Sequence, residues 1–192
     1  INAAEEAKRS IAGTFATLAS KGKLFKEDAD AAASRIVPVH ALGDVVSAGL
    51  VVEAIVEDLE AKRELFRELE VVVAPDAILA SNTSSLSIDD IGQLAGRRER
   101  VCGMHFFNPV DKMPLVEVVA GSLTGETAVR TATALARRLG KTPVVVRDGP
   151  GFLVNRLLAF DSAEAMWLLD EGHRVEAIDR ALVDWGMPMG PL

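Results

Sequence analysis

The stretch LVVEAIVEDLEAKRELFRELEVVVAPDAILAS, residues 50–81, decides the fold. Its opening, LVVEAIV, is a largely apolar run of strand length, the pattern of a strand buried on both faces, and it favours a parallel sheet. From Asp58 to Val72 the spacing is helical, with Leu59, Phe66 and Leu69 inward and Lys62, Arg63 and Arg67 outward, until Pro75-Asp76 stops it. Ala77 to Ser81 is apolar again and predicts a second strand. Strand, crossover helix, strand is the unit from which doubly wound sheets are built.

Towards the N-terminus, residues 3–21 place Ile11, Phe15 and Leu18 on one helical face, and Lys26 to Ser34 predicts a second, short helix. The β-branched residues and proline of Ile36-Val37-Pro38-Val39 suggest an edge strand. Towards the C-terminus the alternation continues: helix 88–95, strand 100–106, a turn to Pro114, strand 115–119, helix 126–139 and strand 142–146. At Asp148-Gly149-Pro150-Gly151 the character changes, and only helical patterns follow, over 153–169 and 175–185. The expectation is an α/β domain with a mostly parallel, doubly wound, Rossmann-like sheet over residues 1–148, then the beginning of an all-α domain over 149–192.

Composition narrows the function classes. The 192 residues are 49% hydrophobic and 26% charged, which suits a globular protein with one sizeable core. A net charge of −7 argues against a surface built for nucleic acid or an anionic membrane. The lone Cys102 permits neither an internal disulfide nor a CxxC metal site, so no metal is expected and a reducing cytoplasm is the natural compartment. No apolar run approaches the roughly 20 residues of a membrane span, and the first residues carry no basic-then-apolar signal pattern.

Chemistry concentrates in HFFNP, 105–109, followed by MPLVEVV, 113–119. Two strands joined by a short turn would set His105 across from Glu117. An imidazole can take a hydroxyl proton near neutral pH, and a carboxylate beside it can hold its tautomer and stabilise the imidazolium. The pair alone reads equally as a core histidine and a surface glutamate. Ser81-Asn82-Thr83-Ser84-Ser85 follows a predicted strand at the edge where such folds bind ligands, though the same residues would serve as a helix N-cap. Glu57 reads as a binding carboxylate or a first-turn acid, and Lys62 as a surface helix lysine unless a ligand lies near. Asn155, inside a predicted helix, lowers helix propensity and hints at a task for its amide.

The strings VVEAIVEDLEAKRELF, ASNTSSLSI, GMHFFNPVDKMPLVEVV, GKTPVVVRDGPGFLVNRLL and WGMPMGPL together resemble the L-3-hydroxyacyl-CoA dehydrogenase family, in its order and spacings, over most of residues 50–192. The resemblance implies His105 as the base that removes the 3-hydroxyl proton, with Glu117 as its partner. It implies Ser84 and Asn155 as residues that place the substrate. Glu57, Lys62 and, more weakly, Asn82 would line the cofactor's ribose and nicotinamide side. NAD as cofactor, an acyl-CoA substrate and a homodimer of the full-length protein are further implications, and Ser10 and Lys21 are weak candidates for contact with CoA.

The departures from that pattern matter as well. A dinucleotide site should open with GxGxxG between strand and helix, and Gly13 and Gly22 have the wrong spacing. The expectation is a chain that lacks its first βαβ unit and is cut at both ends, poorly active alone, with Leu153, Leu157 and Trp167 left exposed. Asp161-Ser162 stands where a bulky apolar pair is expected. Two other readings stay open: the dehydrogenase segment of a multifunctional protein that also carries an enoyl-CoA hydratase, which Asp111-Lys112-Met113 resembles, and a non-catalytic binding protein on the same fold. The opening INAAEEAKRSIAGTFATLASKGKL instead resembles the free-standing 3-hydroxybutyryl-CoA or phenylacetate-pathway dehydrogenases. A dehydrogenase that relies on a catalytic lysine is disfavoured, since no lysine takes the place of His105.

Overall fold

The computed structural model describes residues 3–192. Along the chain come α1 (Ala3–Ser20), α2 (Lys26–Ser34), β1 (Leu50–Glu53), α3 (Leu59–Val72), β2 (Ile78–Ser81), α4 (Ile88–Ile91), β3 (Val101–Phe106), β4 (Leu115–Ala120), α5 (Glu126–Arg138), β5 (Thr142–Arg147), α6 (Val154–Asp170) and α7 (Val175–Trp185). Two compact units result, one of Ile1–Ala48 with Val72–Ala74 and one of Gly49–Val71 with Pro75–Leu192. This division falls elsewhere than the Gly-Pro-Gly turn.

In the larger unit the five strands lie in sequence order, β1-β2-β3-β4-β5. All neighbours are parallel except β3 and β4, whose antiparallel register sets His105 opposite Glu117. Side chains alternate between the faces of a strand, so one face differs from the other. One is dry: Ile78, Ala80, Cys102, Met104, Val116 and Val118 pack against Ala128, Ala132 and Ala136 of α5. Alanines four apart form a stripe of minimal bulk that brings the helix close to the strands. Burial there pushes the Cys102 thiol up to about 12, so it is inert at neutral pH. The other face carries the polar residues Glu53, Ser81, His105 and Glu117, all buried. On that face a Cβ at Gly103 would stand 2.8 Å from Val119 Cβ and 3.0 Å from Ile88 Cδ1, so glycine there lets α4 settle onto the sheet.

Four local expectations are corrected. Residues 36–39 form no strand: Pro38 lacks a ladder donor, and the described residues of the smaller unit hold helices and no strand to pair with. Strand β1 ends at Glu53 and does not reach Val56, because the Glu53 carboxylate accepts the Ile55 amide at 2.6 Å and turns the chain. It is also an edge strand among the described residues, with Val52 exposed, and is not buried on both faces. Lys62 points inward and is 1% exposed, because its ammonium finds carboxylates there. The predicted 88–95 helix is a short α4 continued by a 3-10 turn, Gly92–Leu94.

Leu153, Leu157 and Trp167 are exposed as expected, and so are Phe160 and Trp185. Among the described residues no helix is long and apolar enough to cross a membrane.

Candidate active site

Strand β3 delivers His105 one residue before its end, and β4 delivers Glu117 at its centre. Both are buried, Glu117 completely. His105 Nδ1 stands 2.7 Å from Glu117 Oε2. An ionised carboxylate can only accept, so Nδ1 carries the hydrogen, and Nε2 keeps the lone pair that could receive a proton. The other oxygen, Oε1, accepts the amides of Leu153 and Val154, both at 2.9 Å, where α6 begins. These two donors satisfy a carboxylate that would otherwise be costly to bury, and the positive end of a helix dipole adds to them. Phe107, with ring centroids 4.5 Å apart, and Phe152, at 5.8 Å, flank the imidazole. Phe152 takes a positive φ of 49° after Gly151 at 69°, a left-handed turn that brings α6 back onto Glu117.

The loop after β2 is tied on three sides. Asn82 Oδ1 accepts the Phe106 amide at 2.9 Å, next to His105. Asn155 Nδ2 donates to the Ser84 carbonyl at 3.0 Å. Glu57 Oε1 accepts the Thr83 hydroxyl at 2.5 Å and the Ser84 amide at 2.9 Å, with the Ser84 hydroxyl at a loose 3.4 Å. Partial burial pushes the Glu57 carboxyl up, but Thr83, the Ser84 amide and Lys62 together outweigh it and hold it below the ordinary carboxylate range. Its side chain remains 39% exposed, which leaves an anionic acceptor facing outward. Lys62 Nζ lies 2.6 Å from Glu53 Oε1 and 3.3 Å from Glu57 Oε2.

The structure links Glu57, Lys62, Ser84 and Asn155 around the loop after β2, ties Asn82 to the residue after His105 and sets His105 beside Glu117, whereas Ser10 and Lys21 belong to the other unit. Sequence reasoning missed Glu53, which anchors Lys62 and Ser81. The available signal was a carboxylate inside an apolar strand, which requires a buried partner. Among the described residues no cluster of His, Cys, Asp and Glu could hold a metal ion.

A Rossmann-like α/β sheet that holds a buried histidine–carboxylate pair, with the histidine near the carboxyl end of β3, is the class of protein that fold and site define. Residues 1–149 match the family model described as 3-hydroxyacyl-CoA dehydrogenase, NAD binding domain, and residues 151–192 match the C-terminal domain model of that family. The chain belongs to the 3-hydroxyacyl-CoA dehydrogenase family. It is 51% identical over 148 residues to the fatty acid oxidation complex subunit alpha of Shewanella oneidensis, covering 77% of this chain and 21% of that one. The chain thus spans about a fifth of the length of such curated relatives. Among solved structures it resembles 3-hydroxybutyryl-CoA dehydrogenase from Escherichia coli, with 40% identity, TM-score 0.93, 98% of this chain and 40% of that one. It also resembles the (S)-3-hydroxybutyryl-CoA dehydrogenase of Ralstonia eutropha, with 36% identity, TM-score 0.93, 99% of this chain and 68% of that one.

Proposed function

We propose that the complete protein oxidises L-3-hydroxyacyl-CoA to 3-ketoacyl-CoA with NAD. The observation that carries this reading is the buried His105–Glu117 contact, which commits Nδ1 and reserves Nε2 for the substrate proton. Bound NAD would supply the hydride acceptor, and the protein's own task is alignment and proton transfer. His105 takes the 3-hydroxyl proton through Nε2 while Glu117 stabilises the imidazolium that forms. Ser84 offers its hydroxyl to the substrate oxygen, and Asn155 fixes the Ser84 backbone from the far side. Glu57, an outward-facing carboxylate at the sheet's carboxyl edge, fits the hydroxyls of a ribose, with Lys62 beneath it and Asn82 on the loop that Glu57 holds through Thr83 and Ser84.

The same reading takes residues 1–148 as the cofactor-binding domain and 149–192 as the start of the helical one, a homodimer as the assembly and the cytoplasm as the compartment. The exposed apolar residues of α6 and α7 support the dimer, and the single buried cysteine suits a reducing compartment.

The test is NADH formation from L-3-hydroxybutyryl-CoA and NAD by the complete gene product, beside His105→Ala. Turnover that collapses in the variant supports the reading. A folded protein that binds NAD and shows no turnover overturns it and favours a non-catalytic binding role. The likeness to the alpha subunit supports a second reading of context, in which the same dehydrogenase is one segment of a multifunctional chain. An enoyl-CoA hydratase sequence upstream of Ile1 in the gene would decide for it.

A further inference from the structure

Behind the loop that carries Ser84 lies a closed circuit of side chains. Glu53 Oε1 accepts from Lys62 Nζ at 2.6 Å, and Lys62 Nζ also reaches Glu57 Oε2 at 3.3 Å. Glu57 Oε1 accepts the Thr83 hydroxyl at 2.5 Å. The Thr83 amide donates to Ser81 Oγ at 3.2 Å, and Ser81 Oγ donates to Glu53 Oε2 at 2.6 Å, which returns the circuit to its start. The Lys62 ammonium has three acceptors for its three hydrogens, Glu53, Glu57 and the Ile55 carbonyl at 3.4 Å, and its side chain is 1% exposed. Glu53 is equally closed off, its side chain 1% exposed, with Ile55, Lys62 and Ser81 all donating to it.

We propose that Glu53 is a positioning residue: through Lys62 and Ser81 it fixes the Glu57 carboxylate and the Ser84 loop, which in the reading above face the cofactor and the substrate. The circuit spans the ends of β1 and β2 and the first turns of α3, elements that the sheet ladder alone does not hold to one another at side-chain precision. Two carboxylates share one ammonium, so the Lys62 charge is divided between an inner partner and an outer one. Removing the inner charge frees Lys62 from the end of β1, and Glu57, with no fixed cation beneath it, no longer holds the Thr83 hydroxyl and the Ser84 amide in one place. Glu53 itself reaches no ligand, because it has no surface to offer.

This rests on the proposed dehydrogenase function for its kinetic readout, so a second readout is taken without turnover. In the complete protein, Glu53→Gln is expected to speed exchange of the Thr83 and Ser84 amide hydrogens by about tenfold or more and to lower kcat/KM by about 10- to 100-fold, chiefly through the KM for NAD. Adding Lys62→Met to the same chain removes the stranded cation, so Tm recovers while amide protection and KM do not. That split separates positioning from mere stability. A double variant that recovers protection and KM along with Tm, or a Glu53→Gln protein with native protection, overturns the proposal. Should neither Glu53 variant fold, Ser81→Ala opens the circuit at one hydroxyl and is read for the same two outcomes. A native protein without dehydrogenase activity would sink the functional reading alone, since the exchange data decide the circuit independently.

Discussion

Two glutamates are buried on the same face of the same sheet, Glu53 at the end of β1 and Glu117 in the middle of β4, and their partners set them apart. Glu53 meets an ammonium, a hydroxyl and one amide. Glu117 meets an imidazole and two amides at the start of a helix, with no permanent cation in contact. Lys62 spends its three hydrogens on three acceptors and has nothing left to offer, so the first centre is a closed scaffold. His105 has a second ring nitrogen that Glu117 does not engage, so the second centre keeps an atom for another partner. Burial of a carboxylate does not by itself mark chemistry; what its partner leaves open does.

The sharpest way to break this comparison is His105→Ala, which should lower kcat/KM by about 10²- to 10⁴-fold in initial-rate measurements while the protein stays folded. Glu117→Gln comes next. Its amide oxygen can still accept from Leu153 and Val154, but its NH2 would face Nδ1 and force the wrong tautomer. A loss of kcat on the order of 10³-fold with a nearly native Tm is expected. Lys62→Met should behave in the opposite way, leaving Glu53 buried without a cation and costing about 3–5 kcal/mol in urea unfolding. If Glu117→Gln proved the more destabilising and Lys62→Met the milder, the assignment of scaffold and chemistry would be reversed.

How far the sequence foretold this contrast depended on the range of the forces involved. Strands β2 to β5 and helices α5 to α7 were legible within a residue or two, because apolar runs of strand length and helical spacing between turn residues report on local periodicity. The facing of His105 and Glu117 was legible too, since a short turn between two strands fixes a register. Lys62 was misplaced because its partner lies nine positions away on another element, and helical spacing sees only a charged residue. Strand β1 was drawn too long for a similar reason: apolar Ile55 and Val56 look like strand, and only a side-chain hydrogen bond from the Ile55 amide to Glu53 ends the ladder. The grip of Glu117 on α6 was invisible, for it joins a side chain to backbone amides that have no residue signature.

Two smaller effects sharpen the picture. Asn155→Ala removes the donor to the Ser84 carbonyl, a loss of about 1 kcal/mol and a modest fall in kcat/KM. Because the Glu57 carboxyl is held below its ordinary range, it contributes stability that is present above the unfolded value and lost as pH falls through the folded one. The slope of unfolding free energy against pH in the acid range should therefore be shallower in Glu57→Gln. The exposed Arg67–Glu64 pair is the control, and Arg67→Ala should leave Tm unchanged.

The double grip of Glu117 also has a meaning in time. On the ribosome His105 and Glu117 emerge only 12 residues apart, yet the two amides that steady Glu117 follow 36 and 37 residues after it. Glu117 is synthesised well before the donors that complete its hydrogen bonding, so its carboxylate is fully partnered only once the first turn of α6 has formed and folded back.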